Sequence, residues 1–500
     1  MRKTGIIKKA IILSLLLSLS GPGEIALSSQ LPESLFGNQE FLELSLNDVT
    51  KLALENSLDI QIAKFDVYIE RTSLEKAESI FDTIFDGEFS YTHDRSQPLS
   101  TLAGEETKEQ KFSLGLEKKI PSGTTFGLDL IGTKTRTDST ISPLNPYHEA
   151  LVELSITQEL GKNFFGLADR SGIKITKIDI ANAEFTSLDV IEIALSDAQK
   201  AYWNFVLKTE ELLIKEDMRL KAQKLYNIYQ DRFSLGLTEE SELLAIEALL
   251  KTRQSDVETA NLEKETAKNE LLFLINRGDF ERSISVKDSL ACKAQRVNLY
   301  QSLKNATENR RDYQRIKNDL KSNDIDIVVK RNALWPQIDL EATFSRNNLD
   351  SVRSQAWGNL GESNDAFTVK LNFKVPLENR EAQAGLRQAN LEKKRSLLKF
   401  KRLERLILQE LNDKVNQVNT MQNQVKLFES TLKIHKKKLA KQIKRLESGR
   451  SDANTLIDYE EDLLNARLKL VEYFFKYRRS IIDLDLAKNT LLDKYWQEPL

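Results

Sequence analysis

The chain has 500 residues and a nearly balanced charge, with 73 basic and 75 acidic residues. This balance gives no reason to expect nucleic acid or another polyanion as a partner. Charged residues make up 30% of the chain, a share that suits long helices with solvated faces.

The first 28 residues have the pattern of a secretory signal peptide. Four basic residues stand near its start: Arg2, Lys3, Lys8 and Lys9. An apolar run from Ala10 to Leu19 follows, and Ala26-Leu27-Ser28 offers small residues for cleavage. The run is too short to span a bilayer as a helix, which argues against a membrane anchor. We therefore expect residues 1–28 to be a signal peptide that is removed on export.

Cys292 is the only cysteine in the chain. We therefore expect no internal disulfide. We also expect no lipid-anchored mature N-terminus, because no cysteine directly follows the signal region. No later segment approaches about 18 consecutive apolar residues, so the sequence predicts no membrane-spanning helix.

Two parts of the chain repeat each other. Ala53-Leu54-Glu55-Asn56 matches Ala306-Thr307-Glu308-Asn309 at an offset of 253 positions. The same offset relates Asp59 to Asp312, Gln61 to Gln314, Lys64 to Lys317, Asp86 to Asp339 and Glu88 to Glu341. Late in the chain Gly236 matches Gly449 at an offset of 213. The drop from 253 to 213 predicts about 40 extra residues in the first copy, between Pro121 and about Leu160.

We predict two tandem repeats, residues 29–277 and 299–491, each with a helix, then strands, then a long helical hairpin. In the first repeat these elements cover 45–79, 85–158 and 169–275. In the second repeat they cover 299–333, 338–375 and 380–491. Residues 278–298 link the repeats, and residues 492–500 form a tail.

Alternating apolar and polar residues predict the strands. Phe85, Gly87, Phe89 and Tyr91 alternate with polar residues in the first repeat, and the segment from Phe367 to Val375 does so in the second. We expect four strands from the first repeat and two from the second, each of roughly ten residues. One such segment alone suits a half-buried strand of a soluble sheet, but several in an exported chain favour a transmembrane barrel.

The helix predicted from residue 380 carries a coiled-coil seam, because an apolar residue returns at every seventh position. The seam residues are Leu411, Val418, Val425, Leu432, Leu439 and Leu446. Val415 and Ile443 partly fill the alternate seam. A helix of this length extends roughly 100 Å, so we expect other helices beside it.

Each long hairpin is predicted to turn at a glycine. The two tips are Leu235-Gly236-Leu237-Thr238 and Ser448-Gly449-Arg450-Ser451. Glycine suits the position that follows a helix, and Thr238 or Ser451 can cap the next helix.

Opposite charges flank the second tip. The basic residues are Lys433, Lys436, Lys437, Lys438, Lys441, Lys444 and Arg445, and the acidic residues are Asp452, Asp458, Glu460, Glu461 and Asp462. The two sets face each other in an antiparallel hairpin, so they form either mutual salt bridges on a solvated face or a docking surface for a partner.

Residues that carry chemistry are sparse. His93, His148 and His435 have no nucleophile or metal-ligand spacing beside them, and the sequence contains no glycine-rich phosphate loop. We expect no enzymatic activity, no cofactor and no bound metal.

These features together resemble the TolC-like outer membrane efflux family. The most specific segment begins at Gly449 and continues through Leu456-Ile457-Asp458 and Ala466-Arg467. The first repeat echoes it with Gly236, Thr238, Ser241, Leu243-Leu244 and Glu247. The resemblance covers nearly all of the mature chain.

The resemblance implies a homotrimeric outer-membrane β-barrel continued by a long periplasmic α-helical coiled-coil barrel, a mixed α and β fold. It implies tips that dock onto a periplasmic adaptor protein of an inner-membrane pump or type I secretion system. It also implies an equatorial position for residues 278–298. In that family, acidic residues near the tips constrict the closed channel. The resemblance places Asp458 on one of those positions and Glu242 on an acidic position in the first hairpin, which makes both candidate gate residues. If Asp458 is part of the gate, neutralising it should raise conductance.

Physical constraints agree with oligomerisation. Six strands cannot close a barrel from one chain, and an open sheet edge cannot lie in lipid. Three copies would give an 18-stranded barrel. An exported coiled-coil structural or adhesion protein with a β region is the alternative.

Overall fold

The structure is a computed structural model that describes residues 42–97, 104–278, 283–291, 295–362, 364–447 and 453–495. The predicted signal peptide, Cys292 and the second tip, Ser448-Gly449-Arg450-Ser451, lie outside the described residues. Within those residues, every helix is too short or too polar to cross a membrane.

The chain runs twice through the order of helices, strands and long hairpin. The first pass comprises β1 (Leu42–Leu44), α1 (Leu46–Asn56), α2 (Leu58–Glu78), β2 (Thr83–Asp94), β3 (Thr107–Lys119), β4 (Thr124–Thr137), β5 (Tyr147–Glu159), α3 (Leu167–Ser234) and α4 (Glu240–Leu274). The second pass comprises β6 (Ile284–Val286), α5 (Leu299–Asn309), α6 (Arg311–Asn332), β7 (Gln337–Asp350), α7 (Arg353–Gly358), β8 (Asn364–Lys374), α8 (Arg380–Glu447) and α9 (Ala453–Ala487).

The two long hairpins have the same dimensions. Helices α3 and α8 each contain 68 residues, and α4 and α9 each contain 35. Asn276 and Asn489, which follow the two hairpins 213 positions apart, both have a φ of 51°. The repetition seen in the sequence therefore extends to helix length and to backbone conformation.

The single helices predicted for 45–79 and 299–333 are wrong, because each is two helices. The first breaks at Ser57, where ψ is 128°, and the second breaks at Arg310, where ψ is 119°. The bend allows α1 and α2 to pack on α3 in one core, which buries Val49 on α1 and Ile60 on α2. Apolar periodicity missed the break because the apolar stripe continues across it.

Six strands form one antiparallel sheet in the order β2-β3-β4-β5-β7-β8. Four come from the first pass and two from the second, as the alternation predicted. Strand β5 pairs with β7, so the sheet is continuous between the passes. A separate parallel pair joins β1 to β6, which periodicity did not predict because each strand has three residues.

The sheet has one apolar face and one polar face, because directly paired residues share a face. One row across the apolar face comprises Phe85, Leu116, Leu128, Leu154, Phe344 and Phe367. The adjacent row on the polar face comprises Asp86, Gly115, Asp129, Glu153, Ser345 and Ala366. This arrangement is typical of strands with lipid on one side and water on the other.

The predicted seam of α8 is buried over most of its described length. Leu411 and Val418 are fully buried, and Leu439 is 6% exposed. The assignment of Ile443 to the seam is wrong, since that side chain is 40% exposed while Gln442 is buried. The shift follows from the helical period of 3.6 residues, which moves the buried stripe around the helix.

A buried carboxylate, Glu192, joins three segments that are far apart in the sequence. Glu192 on α3 has no solvent exposure. It accepts hydrogen bonds from the backbone N–H of Leu491 at 2.7 Å, from the side-chain amide of Asn489 at 2.7 Å and from the guanidinium of Arg311. It therefore holds α3, α6 and the segment after α9 together.

Candidate functional site at the hairpin tips

The first hairpin tip has a backbone that requires glycine. Helix α3 ends at Ser234, and Gly236 follows in the left-handed conformation with a φ of 68°. The N–H of Gly236 donates to the carbonyl of Phe233 at 2.9 Å, and the N–H of Leu237 donates to the carbonyl of Arg232 at 2.9 Å. These two bonds form a Schellman motif, which satisfies carbonyls at the end of α3.

Substitution of Gly236 tests this geometry. A Cβ at this position would meet no atom within 4 Å, so any cost comes from the backbone alone. Gly236→Val is expected to destabilise the tip by about 1–2 kcal/mol because a branched residue resists a positive φ. Gly236→Asn is the matched control, since asparagine tolerates that region. Hydrogen exchange of the amides in residues 232–240 would measure the difference, and equal exchange in both variants would contradict it.

The prediction that Thr238 caps α4 is wrong. The N-cap is Glu239, and its side chain makes no capping hydrogen bond. The Thr238 hydroxyl instead donates to the carboxylate of Glu242. Helix α4 starts one residue later than predicted. The Schellman turn extends to Leu237, so Thr238 still belongs to the connection and Glu239 becomes the N-cap.

Apolar side chains project from the first tip. Leu235 and Leu237 are each 71% exposed, and Leu244 on the first turns of α4 is 56% exposed. Exposed leucines in a contiguous group are typical of a surface that another protein covers. The second tip lies outside the described residues.

The two candidate gate residues have different surroundings. Glu242 is half-buried and bound by Thr238, whereas Asp458 is exposed. Among the described residues, no hydrogen bond or ion pair joins Glu242 to Asp458. Their gating role stays a prediction.

The opposite charges beside the second tip pair only in part. Lys438 on α8 donates to Asp462 on α9 at 2.7 Å, and His435 lies 3.7 Å from the same carboxylate. The hydrogen bond from Lys438 lowers the pKa of Asp462. Lys438 also lies 3.8 Å from the ring centroid of Tyr459.

Two ion pairs join the second hairpin to the first, which the sequence analysis missed, and one of them uses Glu461 of the acidic run. Arg253 on α4 donates to Glu461 on α9, and Arg467 on α9 donates to Asp217 on α3. We call these four residues the hairpin latch. Arg253 is 5% exposed, whereas the Glu461 side chain is 49% exposed, so only the arginine side of this pair is shielded from water. In the sequence, Glu461 lies close to the basic run, but its partner Arg253 is 208 positions away, so local charge patterns could not predict the pair.

Glu460 lies next to the latch and is 7% exposed. Burial raises its pKa, an effect that the charges of Lys221 and Arg253 only partly oppose. A raised pKa means that the fold favours the protonated acid, so Glu460 costs stability when ionised above its folded pKa. That cost is relieved as the pH falls through the raised pKa.

Glu460→Gln is therefore expected to stabilise the protein by about 1 kcal/mol at pH 7. The gain should shrink as the pH falls, because the native carboxyl group then also becomes neutral. Chemical denaturation at pH 7 and at about pH 5 would measure this dependence. A variant less stable than the native protein at pH 7 would show that the charge of Glu460 is favourable.

Among the described residues, no group of three or more histidines, cysteines or carboxylates could hold a metal ion. The remaining chemistry of the tip region consists of ion pairs between helices and exposed leucines. Such an arrangement can associate, separate and bind another protein.

Comparison with known proteins agrees with this geometry. Residues 302–489 match the family model described as outer membrane efflux protein. That segment covers α6, β7, α7, β8 and α8, most of α5 and all of α9. A search of curated proteins found no significant match.

Solved structures share the fold over most of the chain. The Campylobacter jejuni CmeC outer membrane channel is 17% identical with a TM-score of 0.68, and the match covers 89% of this chain and 85% of that one. The Vibrio cholerae outer membrane protein VceC is 15% identical with a TM-score of 0.67, over 89% and 95%. The open state of the Neisseria gonorrhoeae MtrE outer membrane channel is 16% identical with a TM-score of 0.65, over 91% of each chain.

At such identities the structural matches establish the fold, and the family match over residues 302–489 supplies the relationship in sequence. Residues 302–489 are therefore similar to the outer membrane efflux protein family, and the chain has the fold of these outer membrane channel proteins.

Proposed function

We propose that the protein is the outer membrane exit channel of a tripartite efflux pump or a type I secretion system. It acts as a passive conduit, and an inner-membrane partner supplies the energy. Its barrel lies in the outer membrane, and its helical hairpins extend into the periplasm. The observation that carries this proposal is the six-stranded sheet with one apolar face and two unpaired edges.

The edges of the sheet support assembly into a ring. Strands β2 and β8 lie at the two ends, and every residue of β8 is exposed. Because the sheet has an even number of antiparallel strands, β2 and β8 run in opposite directions. Strand β8 of one copy can therefore pair antiparallel with β2 of the next, and three copies close a barrel without edges.

The helices also have unpartnered apolar positions. Leu58, Ile62, Phe65 and Ile69 on α2 have a 4-3-4 spacing and are each more than half exposed. Leu391 and Leu398 on α8, seven positions apart, are also more than 60% exposed. Seams with this spacing pack against other helices, which supports a helical tunnel built from several copies.

The exposed leucines of the first tip support docking of a periplasmic adaptor. The tip is the end of the hairpin farthest from the sheet, so it faces the inner membrane when the sheet lies in the outer membrane. Leu235 and Leu237 would lie at the centre of this contact, with Gly236 setting the turn between them. Gly449, Arg450 and Ser451 would form the corresponding surface of the second hairpin.

Edge pairing can be tested with cysteines in a Cys292→Ser background. Phe85 on β2 and Phe373 on β8 lie on the apolar face near the helical end of the sheet. Phe85→Cys is combined in turn with Phe373→Cys and Leu371→Cys, so that two registers are sampled. Oxidation in the membrane is expected to give covalent dimers and trimers on denaturing gels.

The matched control combines Phe85→Cys with Leu128→Cys on the central strand β4, which an edge residue of another copy cannot reach in a closed ring. Electron microscopy of the detergent-extracted protein gives an independent result. Threefold particles with a barrel and a tunnel roughly 100 Å long are expected. Monomers or solid rods would refute the channel and favour the structural or adhesion protein.

A further inference from the structure

The connection between β7 and β8 folds back onto the apolar face of the sheet, at the end opposite the helices. Its short helix α7 buries Ala356, which is 1% exposed. The side chain of Asn348 on β7 donates to the carbonyls of Gln355 and Ala356 at 3.3 and 3.2 Å. Asp350 accepts the N–H of Val352 at 2.9 Å. These contacts hold the connection in a defined position on the apolar face, which contacts lipid if the protein has the proposed function.

An aromatic stack forms under this connection. The ring of Phe112 lies across Gly132, where a Cβ would be 2.1 Å from the ring. Trp357 stacks on Phe112 with ring centroids 6.0 Å apart and an interplanar angle of 29°. The guanidinium of Arg353 lies 4.8 Å from the centroid of the Phe112 ring. The stack makes one wall of a cleft.

The rest of the cleft is cationic and polar. Lys134 on β4, His148 on β5 and Arg353 line it, together with Gln110. Among the described residues, none of the three basic side chains forms an ion pair. Two acidic residues lie close by, but each already accepts a hydrogen bond. Asp350 accepts one from the backbone N–H of Val352, and Glu149 accepts one from the side chain of Asn347 at 3.2 Å.

The position of the cleft indicates its ligand. Lys134 and His148 pair with each other four residues along their strands from the pair Leu130 and Val152, toward the end of the sheet opposite the helices. They border an apolar surface that includes Phe89 and Phe112. A strand rises about 3.3 Å per residue, so Lys134 and His148 lie where lipid headgroups meet acyl chains. Tryptophan and basic residues favour this interface.

We propose that this cleft binds the phosphate of an anionic lipid in the leaflet at the extracellular end of the barrel. Lys134 and Arg353 contact the phosphate, Trp357 and Phe112 contact the start of an acyl chain, and His148 and Gln110 add hydrogen bonds. The lipid thereby fixes the β7–β8 connection on the barrel surface. This proposal depends on the proposed function, because it needs the apolar face to lie in a membrane.

Native mass spectrometry of the detergent-extracted protein, titrated with phosphatidylglycerol, tests the site. One bound lipid per chain is expected. The double variant Lys134→Gln with Arg353→Gln should weaken binding by about tenfold or more. The matched control is Lys111→Gln with Lys374→Gln, which removes the same charge from the polar face and should bind as the native protein does.

The comparison ligands decide the source of the anion. Diacylglycerol, which lacks the phosphate, and zwitterionic phosphatidylcholine should bind more weakly than phosphatidylglycerol. Equal binding of all three, or equal binding by the double variant and its control, would overturn the proposal. Displacement of the lipid by millimolar inorganic phosphate would indicate a free-anion site and also overturn it. The same spectra report the oligomer, so a trimer without lipid preference refutes only this proposal, whereas a monomer refutes the channel as well.

Discussion

Replacing Glu192 with alanine is expected to destabilise the folded protein by about 3–5 kcal/mol. The change removes a carboxylate with no solvent exposure and leaves the buried Arg311 without that partner. It also leaves the backbone N–H groups of Leu491 and Leu492 without their acceptor. Chemical denaturation at a fixed protein concentration, followed by circular dichroism, would measure the loss.

Glu184→Ala is the matched control for this change. Glu184 lies on the same helix and pairs with Arg71 at 2.7 Å, but both side chains are more than a third exposed. Such a pair contributes less than about 1 kcal/mol. Glu192→Gln should fall between the two variants, because the amide oxygen still accepts a hydrogen bond from Leu491. If both alanine variants had the same stability, the network around Glu192 would not hold the elements together.

Breaking the hairpin latch is expected to open the channel. Asp217→Asn with Glu461→Gln removes the two latch carboxylates, each of which pairs across the hairpins, and leaves Arg253 buried without the Glu461 charge. The hairpins should then separate more readily near their tips. We expect conductance in planar bilayers to rise several-fold, as it should for a barrier lowered by about 1 kcal/mol, and cells carrying the variant to become sensitive to large antibiotics.

Asp462→Asn is the matched control, because it breaks the pair with Lys438 inside the second hairpin and leaves both latch pairs intact. Its conductance should equal that of the native protein. Asp458→Asn tests the acidic gate separately, and an increase there would support its role. A latch variant with unchanged conductance would show that other contacts keep the tips closed.

The pH dependence of the latch follows from Asp217. Burial acts to raise its pKa, but the hydrogen bonds from Lys221 and Arg467 prevail and lower it. A lowered pKa means that the contribution of the pair is fully present above the ordinary aspartate range and is lost as the pH falls through the lowered pKa. Conductance of the native channel should therefore stay constant from pH 7 to about pH 5.

Local patterns predicted the elements well where the period was long and regular. The seam from Leu411 to Leu439 predicted the buried stripe of α8, and alternation predicted six strands divided four and two between the passes. Gly236 predicted the end of α3, because a left-handed residue after a helix is most often glycine. The breaks at Ser57 and Arg310 were missed because neither residue is a strong helix breaker.

The duplicated architecture, the alternating strands, the heptad seams and the glycine turn could be predicted from sequence, because each depends on a local pattern of residues. Which charges pair with each other became evident only from the packed helices and sheet. Glu461 faces a basic run in the sequence yet binds Arg253 of the other hairpin, and Glu192 binds Arg311 and Leu491 from distant segments. The cationic cleft likewise brings Lys134 and His148 from two strands together with Arg353 from the β7–β8 connection. Charge pairing depends on distances across packed elements, and those distances are set only when the helices and the sheet assemble.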